Sequence, residues 1–380
     1  MKILQVTRQF YPSIGGIQNV VYGLAKTILD LGIDVKVVTL NLIFNTGELV
    51  ESESFHNGIK IYRIPYFGTK RYPVAIDIIN RIDSCDILHI HAIDFFVDFL
   101  SFTHFLHKKP IIVTTHGGIF HTKWLLPLKQ IYFKTFTRMS LSFVNAVVCN
   151  SKHDYELFKT IVPKSKLHII DNGVDVEKFH SVKKEISRGL LLGIGRVAEN
   201  KHIERLISLL PNLIHQCKDV RLIWIGIDVH NKIPELMRLA NQLGVASRVQ
   251  FLGEVSDNKM RKLLSQAHFF VSAASYEAFG VSTIEAMSSA TVPIVTAVGV
   301  HPEVVVPGET GFISDFNEDK AIKCFKYAFS LNISELERVG KNAREITLKY
   351  SWKQVVQSYV SIYESVLASQ KPVLKESETF

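Results

Sequence analysis

The chain has 380 residues, 47% of them hydrophobic and 21% charged, with a formal net charge of +8. The length exceeds what one hydrophobic core usually fills, so two domains are expected, and the composition excludes a disordered or low-complexity chain. No apolar run reaches the roughly 18 residues needed to cross a bilayer, which argues against a spanning helix. The start, Met1-Lys-Ile-Leu-Gln-Val, lacks the cleavage signature of a secretory leader and reads as a first strand. Cys85, Cys149, Cys217 and Cys324 are scattered without a CxxC pair, which disfavours a metal cluster or disulfide framework and fits a reducing cytosol. Residues 1–171 hold 19 Lys+Arg against 13 Asp+Glu, so most of the positive excess lies in the first half. Such charge attracts nucleic acid, anionic lipid and phosphorylated ligands alike. No helix-turn-helix, zinc-finger or aromatic RNA-binding signature is present, so nucleic acid is disfavoured.

In chain order, apolar runs at Ile3–Thr7, Val35–Leu40, Ile59–Ile64, Ile87–Ile90, Ile111–Thr115, Ala146–Cys149 and Leu167–Ile170 read as strands, with amphipathic helical stretches such as Asn19–Leu31 and Lys152–Thr160 between several of them. The alternation predicts a parallel sheet covered by helices on both faces. The polar segment beginning at Asn172 reads as a linker, residues 172–188. The pattern then restarts with Gly189–Gly195, Val220–Ile225, Val249–Phe251, Phe269–Val271, Val292–Thr296 and Thr310–Ile313. The α/β expectation is therefore two Rossmann-like, doubly wound domains facing across a cleft, with ligands at the carboxyl ends of the strands. A final amphipathic helix runs from Trp352 to Leu367, and residues after Gln370 read as frayed.

The chemistry-bearing groups follow strand ends. Gly15-Gly16 lies between the first strand and a helix, where backbone can approach phosphate, though a plain tight turn explains the pair equally well. His116-Gly117-Gly118 closes the strand from Ile111; a lone histidine otherwise satisfies a core. Asn150-Ser151 reads first as a helix cap. Arg196 and Lys201 follow the first strand of the second half and can clamp a diphosphate, against the alternative of two solvated charges. The most informative segment runs from Tyr276 through Glu277, Phe279, Gly280 and Val281 to Glu285. Its glycine admits close backbone approach, its helix start suits phosphate, and its two carboxylates can accept bonds from hydroxyls. Ser282 and Glu285 also read as a capping box. Thr296 to Glu303 is a Gly/Pro turn that either shapes the pocket or only turns the chain.

Together these positions form a pattern that resembles the retaining GT-B glycosyltransferases of family 4. The first domain is also similar to bacterial mannosyltransferases that extend lipid-linked cellobiose in xanthan- and acetan-type exopolysaccharide assembly. The similar segments are Arg8-Gln-Phe-Tyr-Pro-Ser-Ile-Gly-Gly16, His91-Ala-Ile-Asp-Phe-Phe96 and Thr115-His-Gly-Gly-Ile-Phe-His-Thr122. The resemblance implies an acceptor-side domain over 1–171 with a returning helix, 351–370, and a nucleotide-sugar-binding domain over 189–350. It implies that Arg196 and Lys201 bind the donor diphosphate, Glu277 the transferred sugar and Glu285 the ribose. The backbone at Phe279, Gly280 and Val281 would meet phosphate and sugar, with Gly15 and Gly16 approaching from the other domain. His116 and Ser151 would line the acceptor side, and His116, Lys201 and Glu277 form the catalytic set. It further implies a mannosyl donor, GDP-mannose, a polyprenyl-diphosphate-linked oligosaccharide acceptor, and neither metal nor cofactor. A UDP-sugar donor, a nucleotide-sugar epimerase and a non-catalytic sugar-nucleotide binder are the open alternatives. Three positions depart from the family pattern: Ala278 where glycine is frequent, His202 where glycine is usual, and Val300-His301 in place of a Gly-Ile pair.

The segment His121 to Ser140 interleaves Lys123, Lys129, Lys134 and Arg138 with Trp124, Leu125, Tyr132 and Phe133. At about 100° per residue, Lys123, Lys134 and Arg138 fall on one edge of a helix. This reads either as a surface for an anionic membrane or as a packed helix with one basic edge. The expected location is cytoplasmic, peripheral on the inner face of the cytoplasmic membrane.

Overall fold

The computed structural model describes residues 1–13, 15–117, 126–277 and 279–370. The expectations at Gly118, Lys123, Trp124, Leu125, Ala278 and beyond Gln370 lie outside these residues. The chain divides into two compact units, Met1–Gly173 with the segment from Trp352, and Val174–Ser351.

The first unit contains β1 (Lys2–Val6), β2 (Asp34–Leu40), β3 (Glu53–His56), β4 (Ile59–Ile64), β5 (Phe67–Thr69), β6 (Tyr72–Val74), β7 (Ile87–His91), β8 (Ile111–Thr114), β9 (Ala146–Cys149) and β10 (Leu167–Ile169). Eight of these form one sheet in the order β10-β9-β8-β7-β1-β2-β4-β3. All neighbours are parallel except β3, which runs antiparallel on β4 at the edge. β5 and β6 make a separate hairpin. Successive residues of the central strands feed opposite cores. Leu4, Val38 and Val147 pack in one apolar cluster, Ile3, Val37 and Val148 in another. Both faces are therefore covered, as continuous apolar runs require of parallel strands.

The second unit contains β11 (Leu190–Ile194), β12 (Arg221–Ile225), β13 (Val249–Phe251), β14 (Phe269–Ser272), β15 (Val292–Val295) and β16 (Phe312–Ile313), all parallel in the order β13-β12-β11-β14-β15-β16. The same two-sided burial recurs, with Leu191, Phe269 and Ile294 in one cluster and Leu192, Phe270 and Val295 in the other.

Three features differ from expectation. The stretch 174–188 is not a linker but part of the second unit. Val174, Val176, Phe179 and Val182 are buried, and Asp175 caps the helix Val176–His180 by accepting from Lys178 N at 3.2 Å. Charged residues between those apolar positions hid the amphipathic period. The strands β3, β5 and β6 have no apolar run because they are largely exposed, β5 at every residue. The segment Leu126–Ser142 is not a regular α-helix, since Phe133–Thr137 forms a π-helical turn. A wider turn invalidates the angular spacing assumed for Lys134 and Arg138.

The helix Trp352–Ala368 packs on the helix Gly16–Asp30 and completes the first unit's second core through Val356, Tyr359 and Tyr363. Its first residue sits against two glycines. A Cβ at Gly23 would lie 2.2 Å from Trp352 Nε1, and one at Gly173 would lie 2.3 Å from the ring's Cε3. Gly23→Ala is therefore expected to displace the indole and cost roughly 1–3 kcal/mol. Thermal unfolding and tryptophan emission check this; an unaltered Tm with unaltered emission contradicts it.

Candidate active site

In the second unit the strand order reverses at β11, which has β12 on one side and β14 on the other. Crevices outside strand carboxyl ends at such a reversal are the usual ligand sites of open α/β sheets. The loops leaving β11 and β14 carry Arg196–Lys201 and Ser275–Gly280. They are tied by backbone, since Ser275 N donates to Asn200 O at 2.9 Å and Asn200 Nδ2 donates to Tyr276 O at 3.1 Å. Across this junction Lys201 Nζ forms an ion pair with Glu277 Oε1, both side chains largely buried at 12% and 15% exposure. Gly195 makes room for the lysine: its φ is +147°, and a Cβ there would stand 3.1 Å from Lys201 Cε. Arg196 is exposed and has no hydrogen-bond or ion-pair partner among the described residues. His202 takes a left-handed conformation, φ 47° and ψ 47°, which explains the usual glycine at this position. Its Nδ1 lies 2.8 Å from Glu204 Oε1.

The expected capping box of Ser282 and Glu285 does not form. The helix Val281–Ser288 starts at Gly280, whose φ of 112° serves as a left-handed N-cap without side-chain help, so Ser282 falls inside the first turn. The N–H groups of Val281 and Ser282 have no acceptor among the described residues, as the first turn of a helix leaves them. Phe279 contributes backbone rather than ring: the ring is buried against Tyr350 at 5.5 Å, and its carbonyl accepts from Val300 N at 2.7 Å. His301 is buried and locks this turn. Its Nδ1 must donate to the Thr296 carbonyl at 2.7 Å, leaving Nε2 to accept from the Thr283 hydroxyl at 2.8 Å. The turn 296–303 thus shapes the site, by side-chain bonds its Gly/Pro content did not reveal.

Glu285 is half-buried on the second turn of that helix, and burial pushes its carboxyl up to about 7. Nearby Lys178 opposes the shift, while Asp257 and Asp175 reinforce it.

In the first unit the order reverses at β1, between β2 and β7. The loop after β1 is fixed by Gln9. Its Nε2 donates to Leu42 O at 2.8 Å, and its Oε1 accepts from Phe44 N at 2.9 Å. Gly15 and Gly16 begin the helix Gly16–Asp30. A Cβ at Gly16 would meet nothing within 4 Å, and one at Gly15 only the mobile end of Gln18. Internal packing does not demand a glycine at 16, where the space is open, and at 15 a Cβ would displace only the Gln18 amide.

After β8, His116 holds φ 51°, an uncommon value for a side-chain-bearing residue. Asp154 fixes the turn by accepting from Thr115 Oγ1 at 2.8 Å and from Gly117 N at 2.9 Å. Ser151 Oγ accepts from Asp154 N at 3.1 Å and caps the helix Lys152–Phe158. Its expected capping role is present, and its hydroxyl proton remains available. Asp154 was missed as a supporting residue, although the Ser-x-x-Asp spacing at a helix start was visible. Burial lowers the His116 ring to about 3, so it is neutral at physiological pH. Among the described residues, no three His, Cys, Asp or Glu side chains group as metal ligands.

The raised Glu285 carboxyl has a stability consequence. The folded state holds this proton more tightly than the unfolded chain, so the group's contribution falls as pH rises from about 4.5 through about 7. Glu285→Gln is expected to raise Tm more at pH 8 than at pH 5. Equal differences at both pH values, measured by thermal unfolding, would remove the burial argument.

Residues 157–346 match the family described as glycosyl transferases group 1, and residues 14–178 match glycosyltransferase family 4. The chain is 34% identical over 373 residues, 97% of each chain, to a GDP-mannose:cellobiosyl-diphosphopolyprenol alpha-mannosyltransferase from Xanthomonas oryzae pv. oryzae strain PXO99A. It is 33% identical over 375 residues, 98% of each chain, to the protein of the same description from Xanthomonas campestris. Sucrose-phosphate synthase from Thermosynechococcus elongatus, at 17% identity, shares the fold with a TM-score of 0.76 over 97% of this chain and 99% of that one. Two parallel α/β units, an ion-paired lysine and glutamate at a strand reversal, and whole-length identity above 30% agree: the chain belongs to the group 1, family 4 glycosyltransferases, hexosyltransferases of the GT-B fold.

Proposed function

We propose that the protein transfers mannose from GDP-mannose to a polyprenyl-diphosphate-linked oligosaccharide, with retention of anomeric configuration, in exopolysaccharide biosynthesis. The observation that carries the site assignment is the Lys201–Glu277 pair at the β11/β14 reversal. A sugar nucleotide breaks between its anomeric carbon and a β-phosphate oxygen, and the barrier falls when the leaving diphosphate's charge is met by fixed cations. Lys201 and Arg196 supply positive charge, and the free N–H groups of Val281 and Ser282 add donors at a helix start. Glu277 accepts hydrogen bonds from the transferred sugar, and Glu285, once ionised, accepts them from the ribose. The acceptor oxygen bonds to the anomeric carbon as the phosphate oxygen departs, and that oxygen takes the acceptor's proton. The reading is metal-independent, since side-chain cations do the work of charge neutralisation.

Lys201→Ala and Glu277→Ala should each lower turnover at least about 100-fold. A folded Lys201→Ala protein with near wild-type activity sinks the diphosphate clamp. For the donor, saturating GDP-mannose at about 100 times its dissociation constant should stabilise the protein by roughly 2.7 kcal/mol. Stabilisation by UDP-glucose and not by GDP-mannose replaces the donor while leaving the site.

We also propose peripheral attachment to an anionic membrane on the cytoplasmic side. Among the described residues no helix is long and apolar enough to cross one. The supporting feature is an apolar surface on two adjoining helical segments: Phe105 and Leu106 on one, Leu128, Ile131, Phe136 and Met139 on the other, all exposed, with Phe105 at 71%. The Phe102 and Phe143 rings meet edge to face at 6.3 Å, joining the two segments. Asp98 accepts from Tyr72 and Ser140 hydroxyls at 2.7 and 2.5 Å, and from Tyr132, fixing the backing. Lys134 and Arg138 add positive charge. Sedimentation with phosphatidylglycerol vesicles at low salt should be strong for the native protein and reduced about 10-fold for Ile131→Glu/Phe136→Glu. Equal sedimentation of both proteins would dismiss this surface.

A further inference from the structure

His91 ends β7 and is buried, with 1% exposure. Its Nδ1 lies 3.0 Å from Nε2 of His116, and its own Nε2 has no partner among the described residues. One hydrogen bond between two neutral imidazoles has two proton assignments. If His116 donated, the His91 proton would sit on Nε2, as a buried N–H with no acceptor. If His91 donates, only a buried lone pair goes unmet. Orphaned buried N–H groups are the rarer and costlier of the two. His91 Nδ1–H therefore donates, His116 Nε2 accepts, and the His116 proton resides on Nδ1.

The surroundings fix His91 in turn. Its ring lies 4.3 Å from that of His89, which is held by Tyr363 Oη at 2.8 Å and Thr114 Oγ1 at 2.7 Å. The next residue, Ala92, has φ 76° and His116 has φ 51°, two left-handed side-chain-bearing residues at adjacent strand ends. Such backbone persists where the surrounding structure over-determines it, and it gathers at functional sites.

We propose that His91 is a positioning residue that sets the tautomer of His116, so that His116 acts on the substrate as an Nδ1–H hydrogen-bond donor and not as a base through Nε2. The proposal rests on the reading that His116 takes part in transfer. His91→Asn keeps an amide donor near the Nδ1 position, whereas His91→Leu keeps volume without a donor. With GDP-mannose and cellobiosyl-diphosphopolyprenol as substrates, His91→Asn should retain kcat within about 3-fold. His91→Leu should lose about 10-fold in kcat, the scale of one hydrogen bond, with little change in the donor KM. His91→Leu should cost nothing further in a His116→Ala background. Equal kcat for the Asn and Leu variants overturns the positioning role. A fully active His116→Ala protein overturns the reading beneath it instead. Should His91→Leu fail to fold, long-range 1H–15N correlation on the native protein decides: a proton on His116 Nδ1 supports the proposal, and one on Nε2 ends it.

Discussion

Everything at the proposed donor site depends on one ion pair placed where a sheet changes direction. Lys201 and Glu277 are 76 residues apart, on loops leaving β11 and β14, and both are largely withdrawn from water. Separately, each would be a costly partly buried charge; together they satisfy one another. On the proposed reading the pair would supply both a cation for phosphate and a carboxylate for hydroxyls. Its surroundings are built for rigidity, from the Asn200 bonds across the loops to His301 bridging Thr296 and Thr283. Preorganisation of this kind lets charge be met without reorganisation when it develops.

The first unit solves a different problem, holding a neutral polar ring at a strand end. His116 is anchored through its turn by Asp154, through its backbone N–H by Asn150 Oδ1 at 3.3 Å, and through its ring by His91. Burial keeps these imidazoles uncharged, so what they offer is hydrogen-bond direction rather than charge. Within each unit the strand-end chemistry differs, an ion pair in the second and neutral imidazole hydrogen bonds in the first.

Much of this was legible in the sequence because strand ends carry function in parallel sheets. Runs such as Ile111–Thr114 and Ala146–Cys149 are buried on both faces, so they stand out without periodicity. That Arg196, Lys201 and Glu277 all follow strand ends was readable from the sequence; the ion pair between Lys201 and Glu277 was not. What stayed hidden was set by backbone conformation or by distant partners. The left-handed turn at His202, the π-turn at Phe133 and the Gly280 cap leave little trace in residue type. The helix Val176–His180 was masked by charges between its apolar positions, and His91 gains meaning only from an imidazole 25 residues away.

The order of synthesis gains significance from Trp352 and Tyr363. The first unit's core contains Val356, Tyr359 and Tyr363, and its buried His89 is bonded to a tyrosine 274 residues later. The helix Trp352–Ala368 must therefore follow the whole second unit out of the ribosome before the first unit's core can close. Until then the apolar face of the helix Gly16–Asp30 lacks its cover, and the second unit, contiguous in sequence from Val174 to Ser351, can complete itself earlier. A premature stop before Trp352 therefore injures the first unit, made earlier, and leaves the second unit's core whole.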